Sequence, residues 1–173
     1  MEDILNVLVW PLMHIKGFSD LIDHLKKGDI CKIINTVNAQ KPHFVYALNS
    51  FHKESENVII ITYDELSAKR FYEDMQFLVG EENVMLYPGR DILFYNADVH
   101  SMDITSERIK VIQALSTKKG KVIIASIDAL LNPLSPKETF MSYTRNISEE
   151  DSINIEKLSK ELVQMGYERV SKV

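Results

Sequence analysis

The junction Cys31-Lys-Ile-Ile-Asn-Thr36-Val-Asn-Ala-Gln40-Lys41-Pro42-His43 sits where an α/β protein would keep a phosphate-binding loop. It reads as a short apolar strand near Ile30–Asn35, a polar turn, and an amphipathic helix opened by Pro42. A phosphate loop at such a place crowds backbone N–H groups around the anion. That takes glycines, a Lys for the terminal phosphates and a following Ser or Thr for magnesium. No glycine lies between Thr36 and His43, and Lys41 is followed by Pro42, which offers neither a hydroxyl nor an N–H. Thr36, Gln40, Lys41 and Pro42 therefore mark a degenerate loop, expected to be a plain strand-to-helix turn with no cofactor.

Other candidate chemistry is equally thin. Asp64 follows the apolar run Val58–Thr62 and Asp128 follows Val122–Ser126, as the magnesium-binding acid of an ATPase follows its strand. That role needs a carboxylate right at the strand's end, facing the phosphate loop. Both acids come two residues late and immediately before a helix, where capping accounts for them. His14, His24, His43, His52 and His100 show no paired spacing and no Cys partner, so no metal site is expected. No Ser, Cys or His has the setting of a nucleophile with its base. Lys118-Lys119-Gly120-Lys121 reads as a solvated turn. On these residues the chain is not an enzyme.

The elements that would position such groups are those of an α/β protein. The chain has 173 residues, 45% hydrophobic and 26% charged, with a formal net charge of −5, which argues against a general nucleic-acid surface. Its single cysteine, Cys31, cannot form an intrachain disulfide and reads as a buried small hydrophobe in a reducing, cytoplasmic setting. No signal peptide is evident and no apolar stretch suits a membrane. Ile4–Met13, with Pro11 inside it, is expected as a short helix or an extended arm, with Trp10 packing. Gly17–Gly28 reads as a helix with Phe18, Leu21, Ile22 and Leu25 on one face and His24 on the polar side. Helix 42–53 should bury Phe44, Leu48 and Phe51. Asp64 caps a helix running to Gly80, with Ala68, Phe71, Tyr72, Met75 and Leu78 inward.

Strands are expected at 57–62, 84–87 and 121–126, and their alternation with helices implies a parallel sheet. Between them Arg90–Met102 is a long connection with Phe94, Tyr95, Asp98 and His100, of a length that is usually functional. Ser101 or Asp103 opens a helix over 104–115 that places Ile104, Arg108, Val111 and Leu115 on one face. Pro133 and Pro136 mark a boundary. Beyond it come an expected strand at Thr139–Arg145, an acidic turn at Ser148–Asp151, a helix at Ile155–Met165 and a strand at Tyr167–Val173. This tail is too short for a core of its own and reads as the opening of a domain cut from a longer chain.

Leu86-Tyr-Pro-Gly-Arg-Asp-Ile-Leu-Phe-Tyr-Asn-Ala-Asp-Val-His-Ser101, followed by Asp103-Ile-Thr-Ser-Glu-Arg108, resembles the N-terminal UvrB-homology region of bacterial transcription-repair coupling factors, the Mfd family. Ile60–Arg70, Ser126–Leu134 and Leu162–Val170 resemble flanking parts of the same region. The resemblance implies a degenerate, P-loop NTPase-like RecA domain in three layers over residues 1–131. It is followed from 132 to 173 by the beginning of a small α+β domain that docks the excision-repair protein UvrA. It implies a non-catalytic module in transcription-coupled nucleotide excision repair, which recruits UvrA and restrains the ATP-driven DNA translocase of its parent. Other domains of the parent are its further partners. RNA polymerase and DNA would be met only by parts outside these residues. Arg169 matches the UvrA-contacting arginine of the UvrB-like pattern; coupling factors place a basic residue where this chain has Glu168, and Tyr167 precedes both. Two other readings compete. An ATP-dependent nucleic-acid motor would need the missing phosphate loop, and a UvrB-like damaged-DNA-binding domain would need an aromatic hairpin, for which Tyr87, Phe94 and Tyr95 are the only cluster in that connection.

Overall fold

Three short runs dominated by β-branched and apolar residues build the sheet. The computed structural model of the chain describes residues 2–51, 56–89, 97–117, 120–145, 147–149 and 152–170. Val58–Thr62 (β1), Val84–Tyr87 (β2) and Val122–Ser126 (β3) lie in the order β1-β3-β2, all parallel. Ile60 and Leu86 flank Ile124 from either side. All five residues of β3 are buried, which is what the sequence Val-Ile-Ile-Ala-Ser suits: a central parallel strand has no solvent face for a charge.

No strand forms over 30–35. The backbone there is irregular, Asn35 turns to φ 61°, and Ile30 and Ile34 are exposed. The β-branched residues favour an extended chain, but a strand needs a neighbouring edge, and 30–35 pairs with none of the described strands. Cys31 accordingly lies half-buried outside the sheet rather than inside it.

The first helices, α1 (Glu2–Met13), α2 (Phe18–Lys26) and α3 (Gln40–Asn49), share one cluster: Val9, Leu12, Phe18, Tyr46 and Ala47. Burial pushes the Tyr46 phenol above its ordinary pKa. Gly28, at φ 83°, ends α2, where the Asp29 N–H returns to the His24 carbonyl and the Gly28 N–H to that of Leu25. His24 stays on the surface against Asp29. Pro42 sits in the first turn of α3, where its missing N–H costs nothing. Phe44 and Leu48 pack against the cluster, whereas Phe51 lies past the helix end and is exposed. Trp10 also stays exposed, its ring tilted against His14 at 4.2 Å.

The fourth helix, α4 (Glu65–Val79), covers one face of the sheet through Ala68 and Met75, which meet Val84, Val122 and Ile124. The other face is covered by α5 (Ala97–Thr117), where Val111 meets Tyr87, Ile123 and Ala125. This helix begins earlier than Ser101 or Asp103. Residues 90–96 of the long connection, including Phe94 and Tyr95, lie outside the described residues, as do His52, Lys118 and Lys119. A single turn, α6 (Ile127–Leu130), follows β3 directly.

The chain divides into two compact units, Met1–Asn132 and Pro133–Val173. In the second, Lys137–Ser142 is a helix (α7) where a strand over Thr139–Arg145 was expected. Pro136 opens it, and the Phe140 N–H bonds to the Pro136 carbonyl at 3.0 Å. A helix closes its bonds locally, whereas a strand needs a partner, and the described residues of this unit offer none. The next helix, α8 (Ile155–Gln164), is capped by Asn154, whose side chain accepts from the Lys157 N–H at 3.0 Å. Residues 167–170 form no strand, and 171–173 lie outside the described residues. Among the described residues no helix is long and apolar enough to cross a membrane.

Candidate functional site

The turn before α3 separates the residues of the degenerate loop. Thr36 and Gln40 line a cleft of about 410 Å³ with Lys16, Phe18, Lys32 and Ile33. The Gln40 side-chain oxygen accepts from the Val37 N–H at 3.3 Å, so it closes its own turn. Lys41 does not line the cleft and donates to Asn38 at 2.9 Å, and Pro42 is buried in the first turn of α3. No side chain caps α3, and its N-cap residue, Ala39, is already helical. The four residues do not converge on one point as a phosphate cradle would require.

In an open parallel sheet, ligands gather outside the carboxyl ends of the strands. Here the described polar groups of that rim bond to one another. Asp64 accepts from the Ser67 N–H at 2.7 Å and caps α4; the hydrogen bonds to Ser67 hold its carboxyl below the usual carboxylate range. Asp128 does not cap: it lies inside α6, and Ser126 fills the role, its hydroxyl accepting from the Ala129 N–H at 3.0 Å. The reason is that β3 runs into α6 without a linker, so the cap falls on the strand's last residue. The Ser126 hydroxyl in turn donates to Glu65 at 2.5 Å, and the same carboxylate oxygen accepts from the Gly89 N–H at 2.9 Å. A Cβ on residue 89 would stand 2.6 Å from that oxygen, so any larger residue there would make the Glu65 carboxylate shift.

Beside this lock lies a buried arginine, Arg108, only 4% exposed. Its guanidinium donates to the Pro88 carbonyl, to the Tyr87 hydroxyl and to the Ala129 carbonyl at 3.4 Å. Its Cζ stands 4.0 Å from the centre of the Tyr87 ring. One side chain of α5 thereby ties the end of β2 to α6. A buried guanidinium has five donors and no acceptor, so it must find acceptors, and two carbonyls and a hydroxyl converge on it. Among the described residues no group of three or more His, Cys, Asp or Glu is placed to hold a metal ion.

The residues read as a docking surface lie in the second unit. Gly166, at φ 96°, ends α8 with the Tyr167 N–H returning to the Leu162 carbonyl at 3.0 Å. Tyr167, Glu168 and Arg169 then run along the surface, all exposed. Arg145 forms an ion pair with Glu161 of α8 at 3.2 Å.

No family model matches the chain, and no solved structure does. Curated relatives do. The transcription-repair-coupling factor of Rickettsia bellii is 29% identical over 126 residues, 72% of this chain. That of Bacillus subtilis is 25% identical over 118 residues, 68% of the chain, and that of Staphylococcus aureus strain USA300 is 25% identical over 123 residues, 71% of it. The chain is similar to the transcription-repair-coupling factors. It spans about a tenth of the length of these relatives, 11% of the first and 10% of the others.

This is the family that the Leu86–Arg108 stretch resembles, and part of that stretch forms the lock. Leu86, Tyr87, Pro88 and Gly89 close the end of β2, and Arg108 holds them from α5. In the coupling-factor resemblance Arg108 appears as one letter of a motif. Its signal in the sequence is its place on an apolar helix face with Val111 and Leu115, which a solvated arginine would not occupy. Glu65 and Ser126 gave no such signal, because only the fold brings them within 2.5 Å across 61 residues.

Proposed function

We propose that this chain is a UvrB-like, non-catalytic module of a transcription-repair coupling factor, acting in transcription-coupled nucleotide excision repair in the cytoplasm. It recruits UvrA and restrains the translocase motor of its parent. The observation that carries the reading is the likeness to coupling factors over 72% of the chain. The parallel sheet with helices on both faces is compatible with a RecA-like domain. The loss of nucleotide binding is supported by the glycine-free turn and by Lys41, whose ammonium is committed to Asn38. The strand ends support it too: among the described residues their polar groups bond to one another rather than forming a row of N–H groups for a phosphate.

UvrA docks on the second unit, with Tyr167, Glu168 and Arg169 as the contacting residues. An exposed tyrosine and arginine side by side are the residue types that dominate interface energetics. Polymerase and DNA are handled elsewhere in the parent. The reading is tested by capture and calorimetry. The immobilised chain should retain purified UvrA, and Mg-ATP should bind no more tightly than about 1 mM, roughly −4 kcal/mol. Failure to retain UvrA contradicts the docking role, and ATP binding in the micromolar range contradicts the loss of the nucleotide site.

A further inference from the structure

One carboxylate oxygen gathers the carboxyl ends of the three strands. Glu65 comes after β1, Gly89 comes after β2, and Ser126 is the last residue of β3. Glu65 Oε1 accepts from the Ser126 hydroxyl at 2.5 Å and from the Gly89 N–H at 2.9 Å. An open parallel sheet ordinarily takes its ligand at such a place. A crevice forms outside the strand ends where neighbouring strands send their chains to opposite faces. From β1 the chain passes to the face covered by α4, whereas Ala129, just beyond β3, packs on the face covered by α5. Among the described residues Glu65 makes no ion pair, so neutral donors hold its charge as they would hold a bound anion.

Those donors owe their positions to other bonds. The Ser126 oxygen is buried and accepts from the Ala129 N–H at 3.0 Å, which leaves the hydroxyl hydrogen free to donate elsewhere. Gly89 follows Pro88, whose carbonyl accepts from the Arg108 guanidinium. Resting on the reading of the sheet unit as a scaffold without nucleotide, we propose that Glu65 is a built-in ligand. Its carboxylate fills a small-oxyanion site whose donors are the Gly89 N–H and the Ser126 hydroxyl. The site takes a free carboxylate once the side chain is removed, and no external anion enters while Glu65 is in place.

Glu65→Ala removes just the atoms of an acetate ion, so acetate is the probe. Amide hydrogen exchange of the full chain, followed by NMR at fixed pH with chloride as the balancing salt, reads the site at Gly89. The Gly89 amide should exchange at least about tenfold faster in Glu65→Ala than in the wild type. Acetate at about 100 mM, well above a millimolar dissociation constant, should restore most of the protection, and chloride should not. The wild type should ignore acetate. Glu65→Gln, whose amide oxygen still accepts, should keep the slow exchange, and adding Ser126→Ala to Glu65→Ala should abolish the rescue. The Ile124 amide in β3 reports the fold and should stay slow, and Glu65→Ser is measured beside Glu65→Ala as a second opening of the site. The proposal is overturned by a failure of acetate to rescue either variant, by equal rescue with chloride, or by rescue that survives Ser126→Ala. Loss of the Ile124 protection in both single variants overturns it too, because the donors would then stand only while Glu65 holds them. ATP binding by the wild type would instead contradict the underlying loss of the nucleotide site, which a failed rescue leaves standing.

Discussion

Two apolar stretches of this chain look alike on paper and end differently. Val122-Ile-Ile-Ala-Ser126 is the central strand of the sheet, with every residue buried. Ile30-Cys-Lys-Ile-Ile34 has the same β-branched character, yet its backbone pairs with nothing described and Ile30 and Ile34 face solvent. Composition sets what a segment tolerates; neighbours decide what it becomes. β3 has β1 on one side, β2 on the other, α4 above and α5 below. The same contrast divides the arginines. Arg108 is enclosed by Tyr87, Pro88 and Ala129 and holds the rim of the sheet together, while Arg169 is turned outward. The first is read as structural and the second as available to a partner.

The largest expected effect sharpens the first contrast. Ile124→Ala should cost about 2–5 kcal/mol, because a fully buried side chain leaves a cavity between the sheet and α4. Ile34→Ala should stay within about 0.5 kcal/mol. Urea unfolding with an unchanged slope would separate them. Equal costs would mean that 30–34 is paired and that the contrast is false.

Arg108→Met should cost about 2–4 kcal/mol, since it fills the volume but leaves the Pro88 and Ala129 carbonyls and the Tyr87 hydroxyl buried without a donor. Arg169→Met should leave the unfolding midpoint where it is. A smaller effect follows from the cap on α4. The folded-state pKa of Asp64 is lowered, so its contribution is fully present above the ordinary carboxylate range and is lost as pH falls through the lowered value. The melting-temperature gap between the wild type and Asp64→Ala should therefore be constant near neutrality and close in acid. A gap independent of pH would show that the charge plays no part in the cap.

Much of the sheet unit was legible because its signals are local. The charge-free runs at Val58, Val84 and Val122, the cap at Asp64 and the inward face Ala68–Met75 each follow from a few adjacent residues. What failed was non-local. Whether Ile30–Ile34 pairs depends on an edge that the segment itself does not specify. Thr139–Arg145 carries the β-favouring Thr, Phe and Tyr, but Pro136 starts a helix, and the described residues of the second unit hold no strand to compete. The lock of Glu65 on Ser126 and Gly89 joins residues distant in sequence, so no spacing rule could announce it.

The central claim is that the second unit docks UvrA through Tyr167–Arg169 while the sheet unit serves as a scaffold without a motor. Calorimetric titration of purified UvrA into the wild-type chain, into Arg169→Glu and into Lys121→Glu tests it directly. Lys121 lies in the sheet unit, beside β3. The account predicts that Arg169→Glu weakens binding at least about tenfold, roughly 1.4 kcal/mol, while Lys121→Glu binds like the wild type. Wild-type affinity in Arg169→Glu, or no heat of binding with any of the three, would contradict it.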